Sequence, residues 1–277
     1  MPRWILAGLL LVAIIPVAKA EDLEHCEKAL AAYAAGNHDL AIEYFTRCMD
    51  EGDLTTEHLT ITYGNRGLAY HNKGDHEQAI RDYGEAISIN PRYADAYHNR
   101  GWAYHNKGDY DQAIRDYDEA IRINPGYAYA YYNRGVAYDL KGDYDEAIRN
   151  YDEAIRIYLD YADAYNNRGF AYHNKGDYDQ AIRDYDEAIR ISPDHVLAYN
   201  NRCWTYGLMR RPNDALQNCN DALSLLPDEP GILDSRALAY WLMGKHEKAR
   251  QDLERSRQID PSRPPWQERF RKFEEMF

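Results

Sequence analysis

The 277-residue chain carries 33 Lys and Arg against 46 Asp and Glu, a formal charge of −13. A surface this acidic repels phosphate backbones and argues against nucleic-acid binding. The length would ordinarily fill one or two domains, unless the chain is an array that grows without enlarging a single core.

Residues 1–20, MPRWILAGLLLVAIIPVAKA, begin basic at Arg3, run apolar and uncharged from Trp4 to Ala18, and close on Ala18-Lys19-Ala20. That order is a secretory signal peptide with an A-x-A cut after Ala20. The run falls short of the roughly 20 apolar residues of a bilayer span, and Pro16 interrupts it; retention as an anchor is the alternative. No later stretch is comparable, so no membrane span is expected after cleavage. Removal takes Arg3 and Lys19 and no acid, leaving 31 − 46 = −15. The expected location is periplasmic or secreted.

Beyond the leader the chain repeats itself. YHNKGDYDQAIRDYDEAIR stands at 104–122 and again, letter for letter, at 172–190, a shift of twice 34 residues. In that register the units are 60–93, 94–127, 128–161, 162–195, 196–229 and 230–263, with a worn copy at about 22–55 inside a degenerate N-terminal segment, 21–59. Within 94–127, Tyr97, Gly101 and Tyr104 share one helical face. Gly108-Asp109 breaks the helix, glycine taking the turn and aspartate the N-cap. Ala113, Tyr117, Ala120 and Ile121 line a second helix that Pro125 ends. Each unit is therefore a helical hairpin, and its apolar stripe is covered only by stacking on the next. In the tail 264–277, Trp266, Phe270, Phe273 and Phe277 form one apolar helical face, expected to cap the array; a second-partner or dimer contact is the alternative.

These units resemble the tetratricopeptide repeat family, whose pattern runs Trp, Leu-Gly, Tyr, Ala, Phe, Ala, Pro. In 94–127 the places hold Tyr97, Arg100-Gly101, Tyr104, Ala113, Tyr117, Ala120 and Pro125. Tyr stands for Trp, Arg for Leu and Tyr for Phe, while the small residues that allow close helix contact are kept. Leu159 replaces the proline of the fourth unit, and Cys203 and Ala237 replace glycine in the last two. The resemblance implies an all-α fold, a right-handed α-solenoid of about seven hairpins with a C-terminal capping helix.

Residues equally far from a hairpin's turn sit level with each other. Cys203 and Cys219 lie eight residues either side of Arg211, and Cys26 and Cys48 eleven either side of Asn37. Disulfides Cys26–Cys48 and Cys203–Cys219 are expected, the second placing one cysteine at the family glycine and the other at the aromatic facing it. Buried free thiols are the alternative, which export disfavours. No CxxC points to redox chemistry.

The family's first helices line a concave groove. By register, one ladder there holds Leu68, Trp102, Val136, Phe170, Trp204 and Leu238; a second holds His71, His105, Asp139, His173, Gly207 and Trp241; a third holds Asn72, Asn106, Leu140, Asn174, Leu208 and Leu242. None is Lys or Arg, whereas family grooves that clamp a C-terminal carboxylate use those residues. The best-matched units, 94–127 and 162–195, differ on this side at His98/Asn166 and Trp102/Phe170. The candidate peptide-binding residues are His71, Asn72, His98, Trp102, His105, Asn106, Phe170, His173, Asn174, Trp204 and Trp241, aromatic anchors beside amide donors.

Equivalent histidines of adjacent repeats lie roughly 8–10 Å apart, too far to share an ion bound at about 2 Å, so they read as solvated surface side chains able to titrate at pH 6–7, and no metal or other cofactor is expected. Asp116, Asp118 and Glu119 read as a solvated outer face, paired between hairpins with the recurring Arg66, Arg100, Arg134, Arg168, Arg202 and Arg236. No nucleophile elbow, phosphate loop or HExxH motif occurs. The expected function is a non-enzymatic scaffold for a protein or peptide partner; the alternatives are a structural homo-oligomer built through the C-terminal end and an enzyme with an unrecognised groove site.

Overall fold

A computed structural model describes residues 24–51 and 53–276. The leader expected at 1–20, its cut and Phe277 lie outside the described residues. Those described form α-helices and no strand. In chain order they are α1 (Glu24–Ala34), α2 (His38–Glu51), α3 (Thr56–Asn72), α4 (His76–Ile89), α5 (Ala94–Asn106), α6 (Tyr110–Ile123), α7 (Ala128–Leu140), α8 (Tyr144–Ile157), α9 (Ala162–Asn174), α10 (Tyr178–Ile191), α11 (Val196–Leu208), α12 (Pro212–Leu225), α13 (Pro230–Leu242), α14 (His246–Ile259) and α15 (Trp266–Met276). None is long and apolar enough to cross a membrane.

The described residues divide into two compact units, the first ending at Lys107 and the second beginning at Gly108. The first holds the hairpins α1/α2 and α3/α4, followed by α5; the second holds α6 and then the hairpins α7/α8, α9/α10, α11/α12 and α13/α14, closed by α15. First helices of successive hairpins touch at α3 and α5 in the first unit and at α7 and α9, α9 and α11, and α11 and α13 in the second, while successive second helices do not come as close. Each stack is thus tighter on its first-helix side.

Local chemistry sets the hairpin. Gly176 turns the chain at φ +83°, and the Asp177 carboxylate accepts from the Gln180 backbone N–H at 3.2 Å, capping α10. At the equivalent turn of α11/α12 an arginine, Arg210, takes the left-handed conformation at φ +55°, which costs a non-glycine residue roughly 1 kcal/mol.

Above the turn, glycine lets the helices close. A Cβ added to Gly135 would lie 2.8 Å from the Tyr151 ring, one added to Gly169 2.8 Å from Tyr185, and, in the first unit, one added to Gly67 2.8 Å from Tyr83. All three tyrosines are buried to 1% exposure or less. The sixth repeat keeps the pairing and changes the chemistry: Cys203 and Cys219 occupy the glycine and tyrosine places, fully buried and joined as a disulfide with Cα atoms 5.4 Å apart. Cys26 and Cys48 join α1 to α2 with Cα atoms 5.2 Å apart.

An arginine one residue before that glycine clasps two second helices. Arg168 donates Nε and Nη2 to both oxygens of Asp184 on its own hairpin at 2.8 and 2.6 Å, and Nη1 to Asp152 of the preceding one at 2.5 Å. Arg236 binds Asp252 in the same bidentate way and reaches back to Asn220. Arg134 and Arg202 meet Asn150 and Asn218 instead, and reach back to Asp118 and Asp186. In the first unit, Arg66 grips Asp82 and reaches back to Thr46. The arginines therefore pair within hairpins as well as between them. The expected solvated acid face holds at Asp118, which is exposed, and is corrected at Asp116, which is 6% exposed, with Asp82 and Asp184 at the same place 4% and 5% exposed; Asp82 and Asp184 point toward Arg66 and Arg168 of their own hairpins.

At the C-terminus α15 lies on α13 and α14. Phe273 is 1% exposed and packs with Ala237, Leu238, Ala249 and Leu253, with Trp266 and Phe270 at the margin. The tail caps the last hairpin.

Overpacking a close contact of this kind costs about 1–3 kcal/mol. Gly169→Ala is accordingly expected to lower unfolding stability by that amount in urea titration, while Gly126→Ala, whose added Cβ would meet only Asn124 Oδ1 at an ordinary 3.5 Å, stays near neutral. Replacing both Cys203 and Cys219 by alanine is expected to cost about 3 kcal/mol, whereas Cys203→Gly with Cys219→Tyr, which rebuilds the pairing of the other repeats, recovers most of that loss.

Candidate functional site

The first-helix face of the first unit is built on α3 and α5. His71 is 6% exposed; the Trp102 ring packs over it at 4.0 Å between centroids, and His76 lies at 4.9 Å. Its Nε2 is 3.1 Å from Asn106 Nδ2. An amide nitrogen only donates, so Nε2 accepts and the ring proton is assigned to Nδ1. Burial, helped by His76, pushes the His71 pKa down to about 4. Burial also lowers His98 and His105, which are half-buried. Asn72 donates to the Tyr33 hydroxyl at 2.6 Å. Asn72 and Asn106 keep exposed amides.

In the second unit, α7, α9, α11 and α13 form the corresponding face. His173 Nδ1 is 2.8 Å from Thr205 Oγ1, and that hydroxyl donates to the Asn201 carbonyl at 2.8 Å. Oγ1 therefore accepts from His173 Nδ1–H, which leaves Nε2 as an acceptor. Burial lowers this histidine too. The expected solvated histidines titrating at pH 6–7 are thus corrected: each imidazole is covered by its surroundings and held neutral at pH 7.

Phe170 lies parallel to His173 with centroids 6.2 Å apart and remains 40% exposed, with Leu140 at 53%. Asn174 is exposed beside them. Trp204 and Trp241 are half-buried and pack into the C-terminal cluster around Leu238 and Phe273; the Trp241 and Phe273 rings lie 5.9 Å apart. In this unit, Leu140, Phe170 and Asn174 are the part of the predicted row that the fold leaves open to a ligand.

Asp139 belongs to this site although it was not among the predicted site residues. It is half-buried, its Oδ1 is buried without a hydrogen-bond partner, and burial alone raises its pKa to about 6. The signal was present as the one carboxylate in a register that also holds His71, His105, His173, Gly207 and Trp241. Among the described residues no group of three His, Cys, Asp or Glu side chains is placed to hold a metal ion.

The TPR repeat profile matches residues 67–108 and 138–176, and tetratricopeptide repeat profiles match 94–127 and 162–195, 116–149, and 231–263. The chain belongs to the tetratricopeptide repeat family. Tetratricopeptide proteins are generally scaffolds for protein–protein interaction, and that role holds here at this level. Among solved structures, MamA is 28% identical with a TM-score of 0.55, the match covering 57% of this chain and 93% of MamA. YrrB, described as a TPR protein with an unusual peptide-binding site, is 23% identical with a TM-score of 0.56 over 70% of this chain and 97% of its own. A tetratricopeptide repeat protein from Parabacteroides merdae ATCC 43184 is 19% identical with a TM-score of 0.69 over 92% and 98%. The last two show the fold alone. No curated protein sequence matches.

The two kinds of shifted group act on stability in opposite directions. A carboxyl raised from 3.8 to about 6 in the folded state takes stability away as pH rises from about 4 to 6, and the penalty stays above that. A histidine lowered from 6.5 to about 4 takes stability away as pH falls through that interval. Asp139→Asn is therefore expected to raise the melting temperature at pH 7 and to leave it unchanged below pH 4. His71→Asn is expected to flatten the loss between pH 6.5 and 4. Thermal melts across a pH series check both.

Proposed function

We propose that this tetratricopeptide protein is a non-enzymatic scaffold that holds an extended segment of another protein against its first-helix face, in the cell envelope or outside the cell. The observation that carries the reading is the open row Leu140, Phe170 and Asn174: apolar and aromatic surface beside an amide able to pair with a peptide backbone. YrrB, with its unusual peptide-binding site, is a fold relative in which a peptide is the ligand. Export is supported by the leader pattern of residues 1–20 and by two disulfides, which persist in oxidising compartments. Self-association through the apolar tail has less surface to work with, because Phe273 is consumed by the cap.

A photo-crosslinking amino acid at position 170, compared with one at the exposed Arg149 of α8, tests the reading in cells of the source organism. Discrete protein adducts are expected at 170 and absent at 149. Equal adduct patterns at both positions would remove the first-helix face as the binding surface.

A further inference from the structure

We propose that Asp139 anchors a subsite for a basic side chain of the bound segment, a lysine or arginine whose alkyl stem lies on Phe170 and Leu140 and whose cation meets the carboxylate. This deepens the scaffold reading and rests on it.

Four observations converge. At the Asp139 place of the array, α3, α5 and α9 carry the neutral imidazoles of His71, His105 and His173, and only α7 presents an anionic group. Among the described residues no cation pairs with that group: Lys141, two residues on, pairs with Asp111, and the next lysine along the edge, Lys175, pairs with Asp145. One Asp139 oxygen is buried without a donor, so the carboxylate charge is little compensated within the fold and a cation from outside would meet it through the other oxygen. Its surroundings suit a long cationic side chain. Phe170 holds the position relative to Asp139 that Trp102 holds relative to His71, where the ring packs at 4.0 Å, and both Phe170 and Leu140 remain open.

The chemistry selects for lysine or arginine over other residues. Their methylene stems cover apolar surface while the head stays polar, and a cation beside an aromatic face gains further attraction. A free divalent ion is a poor occupant, because no group of three ligating side chains lies here and a single carboxylate leaves most of its coordination unfilled. A chain of net charge −13 also draws a basic segment toward it before contact.

The test uses the intact oxidised chain as bait for a random twelve-residue peptide display library, with Asp139→Asn and Asp139→His as parallel baits. Asn is nearly isosteric and removes a half-buried charge, so equal or higher melting temperature shows that any lost binding is not unfolding. Wild type is expected to enrich peptides with Lys or Arg at one fixed position, and both variants to lose that preference. Fluorescence anisotropy on the most enriched peptide and its Lys-to-Met or Arg-to-Met analogue should then show about a tenfold loss of affinity from either change alone. Combining the two changes should cost little more, as expected for partners in one interaction. Enriched peptides whose binding depends on Phe170, by loss in Phe170→Ala, but which carry no fixed basic residue would overturn the subsite and leave the scaffold reading standing. Additive losses would overturn it as well. Failure to enrich any peptide, together with equal crosslinking at positions 170 and 149, would overturn both.

Discussion

The fold depends on how closely the two helices of a hairpin approach. Where Gly135 and Gly169 face the rings of Tyr151 and Tyr185, the space for even one methyl group is already taken. The tyrosine then lies flat against backbone and is buried almost completely, so its area contributes to the core at a depth a larger partner would prevent. Cys203 and Cys219 solve the same spatial problem with a covalent bond: the first is larger than glycine, the second smaller than tyrosine, and together they fill the gap. A change at either place alone would break the volume match.

Around this contact the polar groups are arranged to satisfy one another. A buried carboxylate such as Asp184 is tolerable because Arg168 binds both its oxygens, and the same guanidinium reaches the preceding hairpin at Asp152. At positions 150 and 218 asparagine does part of this job: its carbonyl accepts from arginine while its amide donates to the backbone carbonyl four residues earlier. Neutral and charged versions therefore share one geometry. Interhelix register is fixed by apolar contact and by directional hydrogen bonds at the same level, which leaves little room for a hairpin to slide.

Much of this is legible in the sequence. Hairpin boundaries follow from Gly-Asp turns and closing prolines, and the cysteine pairs follow from counting outward from the turn, because both depend on local geometry. Burial across repeats is harder to read. Asp184 sits among charged residues on an amphipathic helix and looks solvated, yet it faces Arg168 of the first helix. His71 looks exposed until the Trp102 ring of the next helix covers it. Trp204 and Trp241 belong by register to the same ladders as Phe170 and His173, but the cap helix at their end of the array draws them into its cluster. In each case the deciding neighbour comes from another helix, for the histidine and the tryptophans from another hairpin or the end of the stack, and periodicity within one helix does not reveal it.

The backward reach of the arginines bears on how such a chain can change length. Arg202 binds Asp186, and Arg168 binds Asp152, residues that hold the same place in successive units. Were 162–195 excised in frame, Arg202 would meet Asp152 where it now meets Asp186, and its own hairpin would be untouched. Recombination between the identical nineteen-residue stretches, which lie 68 residues apart, would remove or add two repeats at once. An array built this way lengthens or shortens in whole repeats while each new junction keeps its arginine clasp.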